Sequence, residues 1–334
     1  MKKIYIVTGS TGFVGNNVVK ALDTGGETVV ALAQSEQKVG RALKGTRAKI
    51  VYGNVLEENK FERLFEEARK ISKTAEICFI HTASVVYLGN NKKRVRQMTE
   101  VNLGGAKNAI EACLKHNCRL LYVSSVHAIP EAPKRGLITE IQDFNFKKVV
   151  GKYAKTKAEA SRIVMDAVKN RGLDAVMVHP SAVMGPNDYS NTYTTQMVQD
   201  YKDGRIPCST NGGFDFVDVR DVAAGIVLAC GKGKAGDCFL LTNKYISAKE
   251  LFDTLYELGF GKKMRRSVPR WLARLSLPML TLHCKITKKR PLFSRYSLYS
   301  LGSNSNFSHE KASVELGYKP RELKDSLKDS LKDM

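Results

Sequence analysis

Tyr153 and Lys157 form the residue pair whose types and spacing best suit proton transfer. On a helix, residues four apart lie one turn apart on the same face, with about 5–6 Å between their Cβ atoms. A tyrosine hydroxyl has a reference pKa of about 10, and a neighbouring lysine cation, together with the positive ring of a bound nicotinamide cofactor, would lower that pKa. Such a tyrosine can donate a proton to a carbinol oxygen or accept one from it. The spacing alone occurs by chance in many chains, so its interpretation depends on what surrounds the pair.

Three glycines, Gly9, Gly12 and Gly15, are spaced three apart where a predicted first strand passes into a predicted first helix. Glycine lets the backbone turn sharply and approach a pyrophosphate, and a helix amino terminus offers unpaired N–H groups. A glycine triplet is a weak signal by itself, but its position at the first strand-to-helix junction favours dinucleotide binding. The residues of this turn expected to contact the cofactor are Gly9, Thr11, Gly12, Phe13, Val14 and Gly15.

Short apolar strands alternate with helices along the first 180 residues. Alternation at this spacing requires parallel strands with helices on both faces, so the predicted fold is α/β, a Rossmann-type doubly wound parallel sheet. The predicted division is a dinucleotide-binding domain at 1–183, to which 212–232 return, and a smaller C-terminal substrate-binding lobe at 184–211 and 233–334. Strands are predicted at 4–8, 28–32, 49–52, 77–81, 120–124, 174–179 and 214–219, and helices at 61–71, 99–115, 153–170 and 221–230.

The end of the second strand bears on the choice between NADP and NAD. An acidic residue there would hold an unphosphorylated ribose, but the strand end carries Gln34 and Ser35 instead. Lys38 and Arg41 could receive a 2′-phosphate. NADP is therefore the preferred cofactor, and Glu36 is the residue that would favour NAD.

Taken together, these motifs resemble those of the extended short-chain dehydrogenase/reductases, also called the NAD-dependent epimerase/dehydratase superfamily. Within it, the chain is similar to the branch of dihydroflavonol reductases, cinnamoyl-CoA reductases and 3β-hydroxysteroid dehydrogenases. The resemblance covers nearly the whole chain. It rests on residues 8–15, 81–84, 101–105, 122–125, 153–157, 179–181, 185–186, 216–223 and 315–320.

The resemblance implies a role for each matching residue. Ser125 would donate a hydrogen bond to the substrate oxygen, with Ser124 as the competing choice, and Tyr153 would be the acid/base. Lys157 would serve both Tyr153 and the nicotinamide ribose. Asn102 would be structural or part of a proton path. The remaining expected contacts are Ser35, Lys38, Asn54, Val55, Thr82, Ala83, Ser84, Pro180 and Val183 with the cofactor, and Tyr87, Val126, Met184 and Tyr189 with the substrate.

Three functions remain open at this stage. The preferred one is reversible reduction of an apolar ketone or aldehyde by hydride transfer. The second is sugar-nucleotide epimerisation or dehydration, but sugar-nucleotide members of the family commonly carry an asparagine where this chain has Ser181. The third is a non-enzymatic dinucleotide-sensing protein, and the intact serine, tyrosine and lysine argue against it.

The net charge of +21 attracts anionic partners without choosing among them. Basic residues are spread along the chain and do not form an arginine-rich arm with interleaved aromatics, so no nucleic-acid partner is expected. A solvated basic surface is preferred, and peripheral contact of the basic C-terminal lobe with a membrane is the alternative. Segment 268–280 could close the pocket or lie on a membrane surface, although ordinary core of the lobe is the preferred interpretation.

The remaining bulk features are those of an ordinary globular protein. No run reaches the ~18 apolar residues needed to span a bilayer and no signal-peptide pattern opens the chain, so the expected location is cytoplasmic. The seven cysteines are scattered without metal-ligand spacing, so reduced thiols and no metal are expected. A pattern that repeats every four residues at 323–333 predicts a short amphipathic terminal helix. A homodimer is left open as the assembly.

Overall fold

The computed structural model describes residues 3–287 and 293–332, and its centre is a seven-stranded parallel sheet. The strand order is β10-β6-β5-β4-β1-β2-β3, which confirms the predicted doubly wound sheet. Two smaller sheets, β11-β9-β7 and β12-β8, lie outside it. The strands are β1 Lys3–Thr8, β2 Thr28–Ala33, β3 Lys49–Tyr52, β4 Glu76–His81, β5 Arg119–Val123, β6 Ala175–Pro180, β7 Ala182–Met184, β8 Ser209–Thr210, β9 Gly213–Asp218, β10 Cys238–Leu241, β11 Lys244–Ser247 and β12 Ser267–Val268.

Helices cover both faces of the large sheet, because alternate strand residues point to opposite sides. Ile4 and Ile6 of β1 pack in one core with Phe61, whereas Tyr5 and Val7 pack in the other core with Val18 and Ile226. The helices are α1 Phe13–Thr24, α2 Glu36–Ala42, α3 Glu58–Ile71, α4 Lys92–Lys115, α5 Lys152–Arg171, α6 Tyr193–Lys202, α7 Val219–Lys232, α8 Ala248–Glu257, α9 Arg270–Thr287, α10 Arg295–Ser300 and α11 Leu323–Lys332.

Two strands lie in different sheets from those expected. β10 completes the large parallel sheet beside β6, although residues 233–334 were assigned to the smaller lobe. Its residues are buried on both faces, with Leu240 in one core and Phe239 and Leu241 in the other. β9 pairs with β7 and β11 in a small sheet, although 212–232 were expected to return to the first domain. Within 212–232, it is α7, the helix that follows β9, that packs against the large sheet and α1.

Two C-terminal helices, α9 and α11, show that a pattern of apolar residues does not by itself reveal whether those residues are buried or exposed. The four-residue repeat forms α11, as predicted, and its leucines Leu323, Leu327 and Leu331 are buried in a third core, that of the smaller lobe. By contrast, Trp271 and Leu275 of α9 are exposed, so the interpretation of 268–280 as ordinary lobe core is wrong. Among the described residues, no helix is both long enough and apolar enough to cross a membrane.

Candidate active site

In the glycine turn between β1 and α1, the backbone at Gly9 lies close to the backbone that follows β4. Gly9 has φ +71°, a conformation in which glycine is favoured, and a Cβ there would lie 2.5 Å from the amide nitrogen of Ala83. A Cβ on Gly15 would collide with the carbonyl oxygen of Gly9. The helix begins after Gly12 with no side-chain cap among the described residues, so its first N–H groups are available to an anionic ligand. This cradle fits the pyrophosphate of a dinucleotide.

Thr82 joins the carboxyl end of β4 to the glycine turn. Its backbone N–H and its Oγ1 both donate to the carbonyl oxygen of Thr8, at 3.1 and 2.8 Å. Ala83 and Ser84, which follow it, are half-buried beside the turn. The three residues expected to line a cofactor trough therefore lie along the edge of the sheet where β1 and β4 end.

The residues expected around the adenosine ribose lie at the start of α2, a short helix that sequence patterning did not predict. Ser35 caps α2 by accepting a hydrogen bond from the N–H of Lys38 at 3.4 Å. The Lys38 ammonium reaches back and donates to the side-chain oxygen of Gln34. Gln34, Glu36 and Lys38 are all exposed at the end of β2, so one basic and one acidic side chain remain available there.

On the adenine side, Asn54 and Val55 shape the loop after β3. Asn54 Oδ1 accepts from the N–H of Leu56 at 3.1 Å. Val55 is buried against α4, where Gly105 leaves room for it, and its carbonyl oxygen accepts from Asn108 at 2.9 Å. Both side chains have structural partners, and their contact with adenine stays a prediction.

Tyr153 lies in the first turn of α5 and is buried beside two serine hydroxyls. Burial raises the pKa of Tyr153 to about 12, and hydrogen bonding with Ser125 and Ser84 partly offsets this rise. Ser125 follows β5, where its Oγ also accepts from the N–H of His127 at 3.3 Å. Ser124, the competing choice, is engaged elsewhere, since its Oγ lies 2.7 Å from the hydroxyl of Ser161. The geometry therefore supports Ser125 as the serine facing the tyrosine.

Lys157 is also buried, one helical turn beyond Tyr153. Its Nζ donates to the carbonyl oxygen of Val123 at 2.9 Å and lies 5.3 Å from the centre of the Tyr122 ring. Burial lowers the pKa of Lys157 to about 7. Burial disfavours the charged form of both groups, and the lowering of the tyrosine pKa expected from this lysine together with the positive ring of the cofactor stays a prediction.

Asn102 of α4 connects three parts of the site. Its Oδ1 accepts from Ser84 Oγ at 3.2 Å and from the N–H of Val85 at 2.8 Å. Its Nδ2 donates to the carbonyl oxygen of Val85 and to Thr156 Oγ1, both at 3.1 Å. Thr156 in turn donates to the carbonyl oxygen of Tyr153 at 2.8 Å. All the polar capacity of this buried amide is used to hold Ser84 and α5 in place, which favours the structural alternative over a proton path.

A cleft of about 270 Å³ lies on the far side of His127 from Tyr153, which does not itself line it. His127 forms part of its wall, with the centres of the His127 and Tyr153 rings 6.0 Å apart. Tyr296 of α10 completes the wall and lies 3.2 Å from His127 Nδ1 through its hydroxyl. Burial lowers the pKa of His127 to about 4, so the imidazole is neutral at pH 7. The other lining residues are Val126, Ile129, Pro130, Glu131, Ile138, Lys148, Val149, Val150, Phe214, Tyr299, Ser300, Ser303, Asn304, Ser305 and Phe307.

Of the four expected substrate residues, Val126 alone lines this cleft. Met184 is buried in the core of the smaller lobe. Tyr189 lies under the ammonium of Lys20, which is 5.0 Å from its ring centre, and so faces α1. Tyr87 Oη accepts from the N–H of Asn91 at 3.1 Å, within its own loop. These placements differ from the single pocket expected from sequence.

Pro180 and Val183 lie on either side of the point where the chain leaves the large sheet. Pro180 ends β6 and is buried, whereas Val183 is half-buried in β7 and pairs with Val217 of β9. Between them, Ser181 Oγ donates to Asp215 Oδ1 at 2.5 Å. Ser181 is the residue at the position where sugar-nucleotide members of the family commonly carry an asparagine. Its hydroxyl therefore has a hydrogen-bond partner within the protein.

The parallel sheet, the glycine turn after β1 and the buried Tyr153–Lys157 pair behind β5 define a dinucleotide-binding protein of the extended short-chain dehydrogenase/reductase type. Residues 5–241 match the model of the NAD dependent epimerase/dehydratase family, and the chain belongs to this family. The resemblance found in the sequence is thereby confirmed.

Similar proteins cover nearly all of the chain. It is 27% identical to sterol demethylase protein B of Methylococcus capsulatus over 98% of this chain and 96% of that one. It is 28% identical to a putative dihydroflavonol 4-reductase of Synechocystis over 81% of this chain and 77% of that one. The crystal structure of gox2253 has a TM-score of 0.82 at 25% identity and covers 99% of this chain and 97% of that one.

Proposed function

We propose that this protein is an NADP(H)-dependent reductase of a ketone or aldehyde, with an apolar substrate. The proposal rests on the hydroxyl groups of Tyr153, Ser125 and Ser84, which are gathered beside the glycine turn with Lys157 one helical turn away. Bound NADP(H) would supply the hydride, and the protein would supply proton transfer and orientation.

The proton chemistry of the site suits the direction of reduction. With its pKa raised to about 12, Tyr153 keeps its proton at neutral pH and can donate it to a developing alkoxide. Ser125 donates a hydrogen bond to the same oxygen and orients the carbonyl. Lys157 holds the ribose and, when protonated, stabilises the phenolate left after donation.

The NADP preference is supported by the end of β2. The Lys38 ammonium contacts Gln34 at this strand end, which supports Lys38 as the partner of a 2′-phosphate. No acidic residue stands on the strand itself, although Glu36 follows in the first turn of α2.

The apolar character of the substrate is supported by the cleft. One part of its wall combines the aliphatic residues Val126, Ile129 and Val149 with aromatic rings, whereas Lys148 and the residues 303–305 give another part polar groups. The carboxylate in this wall, that of Glu131, already accepts hydrogen bonds from Tyr299 Oη and from the N–H of Asn304. The names of the relatives, a sterol demethylase protein and a putative dihydroflavonol reductase, point in the same direction.

Turnover of the purified protein with NADPH tests the proposal. A panel of aromatic, steroidal and aliphatic ketones and aldehydes is offered, with UDP-sugars in parallel, and the absorbance of the reduced nicotinamide is followed together with product analysis. Tyr153→Phe serves as the inactive control. Turnover of a UDP-sugar without any carbonyl reduction would replace the proposal by the epimerase or dehydratase alternative.

A further inference from the structure

Helix α9 carries a row of apolar side chains that nothing in the described structure covers. Trp271, Leu275 and Met279 follow one another at intervals of four residues and are 64, 68 and 75% exposed. Ile286, 73% exposed, falls on the same side of an ideal helix, and so does Leu272. These five residues form an apolar stripe. Exposed apolar patches of this kind are uncommon on monomeric proteins and mark surfaces of interaction.

The chain around this helix is strongly basic. Residues 258–309 contain eleven lysines and arginines and no aspartate or glutamate, so this stretch contributes about half of the net charge of +21. Lys262, Lys263, Arg265, Arg266 and Arg274 are exposed, and none of them forms an ion pair with another described residue. Cations that have no ion-pair partner among the described residues, on the chain next to an apolar stripe, match the chemistry of an anionic lipid surface, which offers phosphates above an apolar layer.

We propose that α9 docks the protein on the surface of a membrane that contains anionic lipids. The apolar stripe enters the boundary between head groups and acyl chains, and the five cations contact lipid phosphates. A second copy of this chain would be a poor occupant, because a symmetric contact would bring two strongly basic segments together. The inference concerns where the protein binds, and it stands whether or not the proposed reaction is correct.

The docked helix is connected to the cleft. α9 packs against α10, and Tyr296 of α10 forms part of the cleft wall. The Arg270 side chain at the start of α9 also lies against Gly302, in the loop that follows α10. Membrane binding through α9 therefore brings the part of the cleft wall formed by Tyr296 close to the membrane surface.

The single tryptophan of the chain makes the docking directly observable. Trp271 lies in the stripe, so its fluorescence reports insertion without any label. Vesicles of phosphatidylcholine alone are compared with vesicles of equal parts phosphatidylcholine and phosphatidylglycerol, by emission spectra and by co-sedimentation. We expect a shift of emission to shorter wavelength and co-sedimentation only with the anionic vesicles. Salt at about 1 M, where the Debye length is about 3 Å, should weaken both.

Two double variants separate the charge from the apolar stripe. Arg265→Gln with Arg266→Gln should lower partitioning roughly 30-fold, at about 1 kcal/mol for each arginine. Leu275→Ser with Met279→Ser should lower it roughly tenfold or more. The matched charge control is Lys92→Gln with Lys93→Gln, on the exposed start of α4, and Val314→Ser is the matched apolar control. Each control should bind like the wild type.

Several outcomes would overturn the proposal. One is unchanged Trp271 emission with anionic vesicles. Another is an equal loss of binding in the α4 control. The third is a protein dimer that Leu275→Ser with Met279→Ser dissociates, in the absence of vesicle binding. Coenzyme binding by each variant, measured by titration with NADPH, checks that the fold is retained and does not depend on turnover.

Discussion

Replacing Lys157 by Met should stabilise the coenzyme-free protein, with a gain that depends on pH. The wild-type ammonium is buried, and burial lowers its pKa from the usual 10.5 to about 7. Below pH 7 the lysine is charged in both the folded and the unfolded states, and the folded state bears the full cost of burying that charge. Between pH 7 and 10.5 the unfolded state binds more protons, so the free energy of unfolding of the wild type rises with pH.

The size of the effect follows from the pKa difference. A difference of about 3.5 between 10.5 and about 7 corresponds to about 5 kcal/mol at low pH, falling to about 2 kcal/mol at pH 9. Methionine also loses the hydrogen bond to the Val123 carbonyl, which contributes about 1 kcal/mol. The net gain in the variant is then about 4 kcal/mol at pH 6.5 and about 1 kcal/mol at pH 9. His81 and His179 stay neutral over this range, since burial lowers the pKa of both to about 3.

Urea denaturation followed by circular dichroism measures this gain at four pH values, about 6.5, 7.5, 8.2 and 9. These values span the range over which the gain is expected to change. Lys155→Met on the same helix is the matched control, because Lys155 is exposed. It should change the free energy of unfolding by about 0.5 kcal/mol or less at every pH. The reasoning is refuted if the Lys157→Met gain is flat with pH, or if the variant is less stable than wild type at pH 6.5. Turnover and coenzyme affinity should both fall in the same variant.

Three further predictions concern the site. Tyr153→Phe should bind NADPH within a few-fold of wild type while its turnover falls by ~10² or more, and near-normal turnover would remove the tyrosine from the acid/base role. NADPH should bind several-fold tighter than NADH in fluorescence titrations, and Lys38→Gln should erase this preference; tighter NADH binding that Glu36→Gln weakens would show the opposite cofactor choice. Asn102→Ala should lower the free energy of unfolding by roughly 2–5 kcal/mol, because four hydrogen bonds are lost, and leave the pH profile of turnover unchanged. A displaced pH profile in that variant would instead support a proton path.

The parts of the fold and site that sequence could predict are those set by local pattern. The glycine turn directly follows β1, and Tyr153 and Lys157 lie one turn apart at the start of a single helix, so their chemistry can be inferred without knowing the tertiary structure. The parallel, doubly wound arrangement of the sheet follows from the alternation of strands and helices. α2 is short and exposed on most of its length, with only Ala42 buried, so it carries little apolar periodicity to detect.

The cleft wall could not be predicted in the same way. His127 stands two residues after Ser125, and this proximity was a signal that could have identified it. Tyr296 reaches His127 from 169 residues along the chain, so no local pattern joins them. The fit is tertiary, because Gly151 leaves the space that the Tyr296 ring fills. Which sheet receives β9 or β10 is decided by packing on both faces, which neighbouring sequence does not encode.

The pKa values of Tyr153 and Lys157 show the limit of inference from residue types. The two types predict a lysine cation that acidifies a phenol, whereas the fold raises the pKa of the phenol and lowers that of the ammonium. Both shifts have one cause, since burial disfavours whichever form carries charge. The protein groups of the site therefore keep a protonated donor beside an amine that titrates near neutrality. A bound anionic coenzyme would favour the protonated lysine, so coenzyme binding and activation of the tyrosine are coupled through the charge of Lys157.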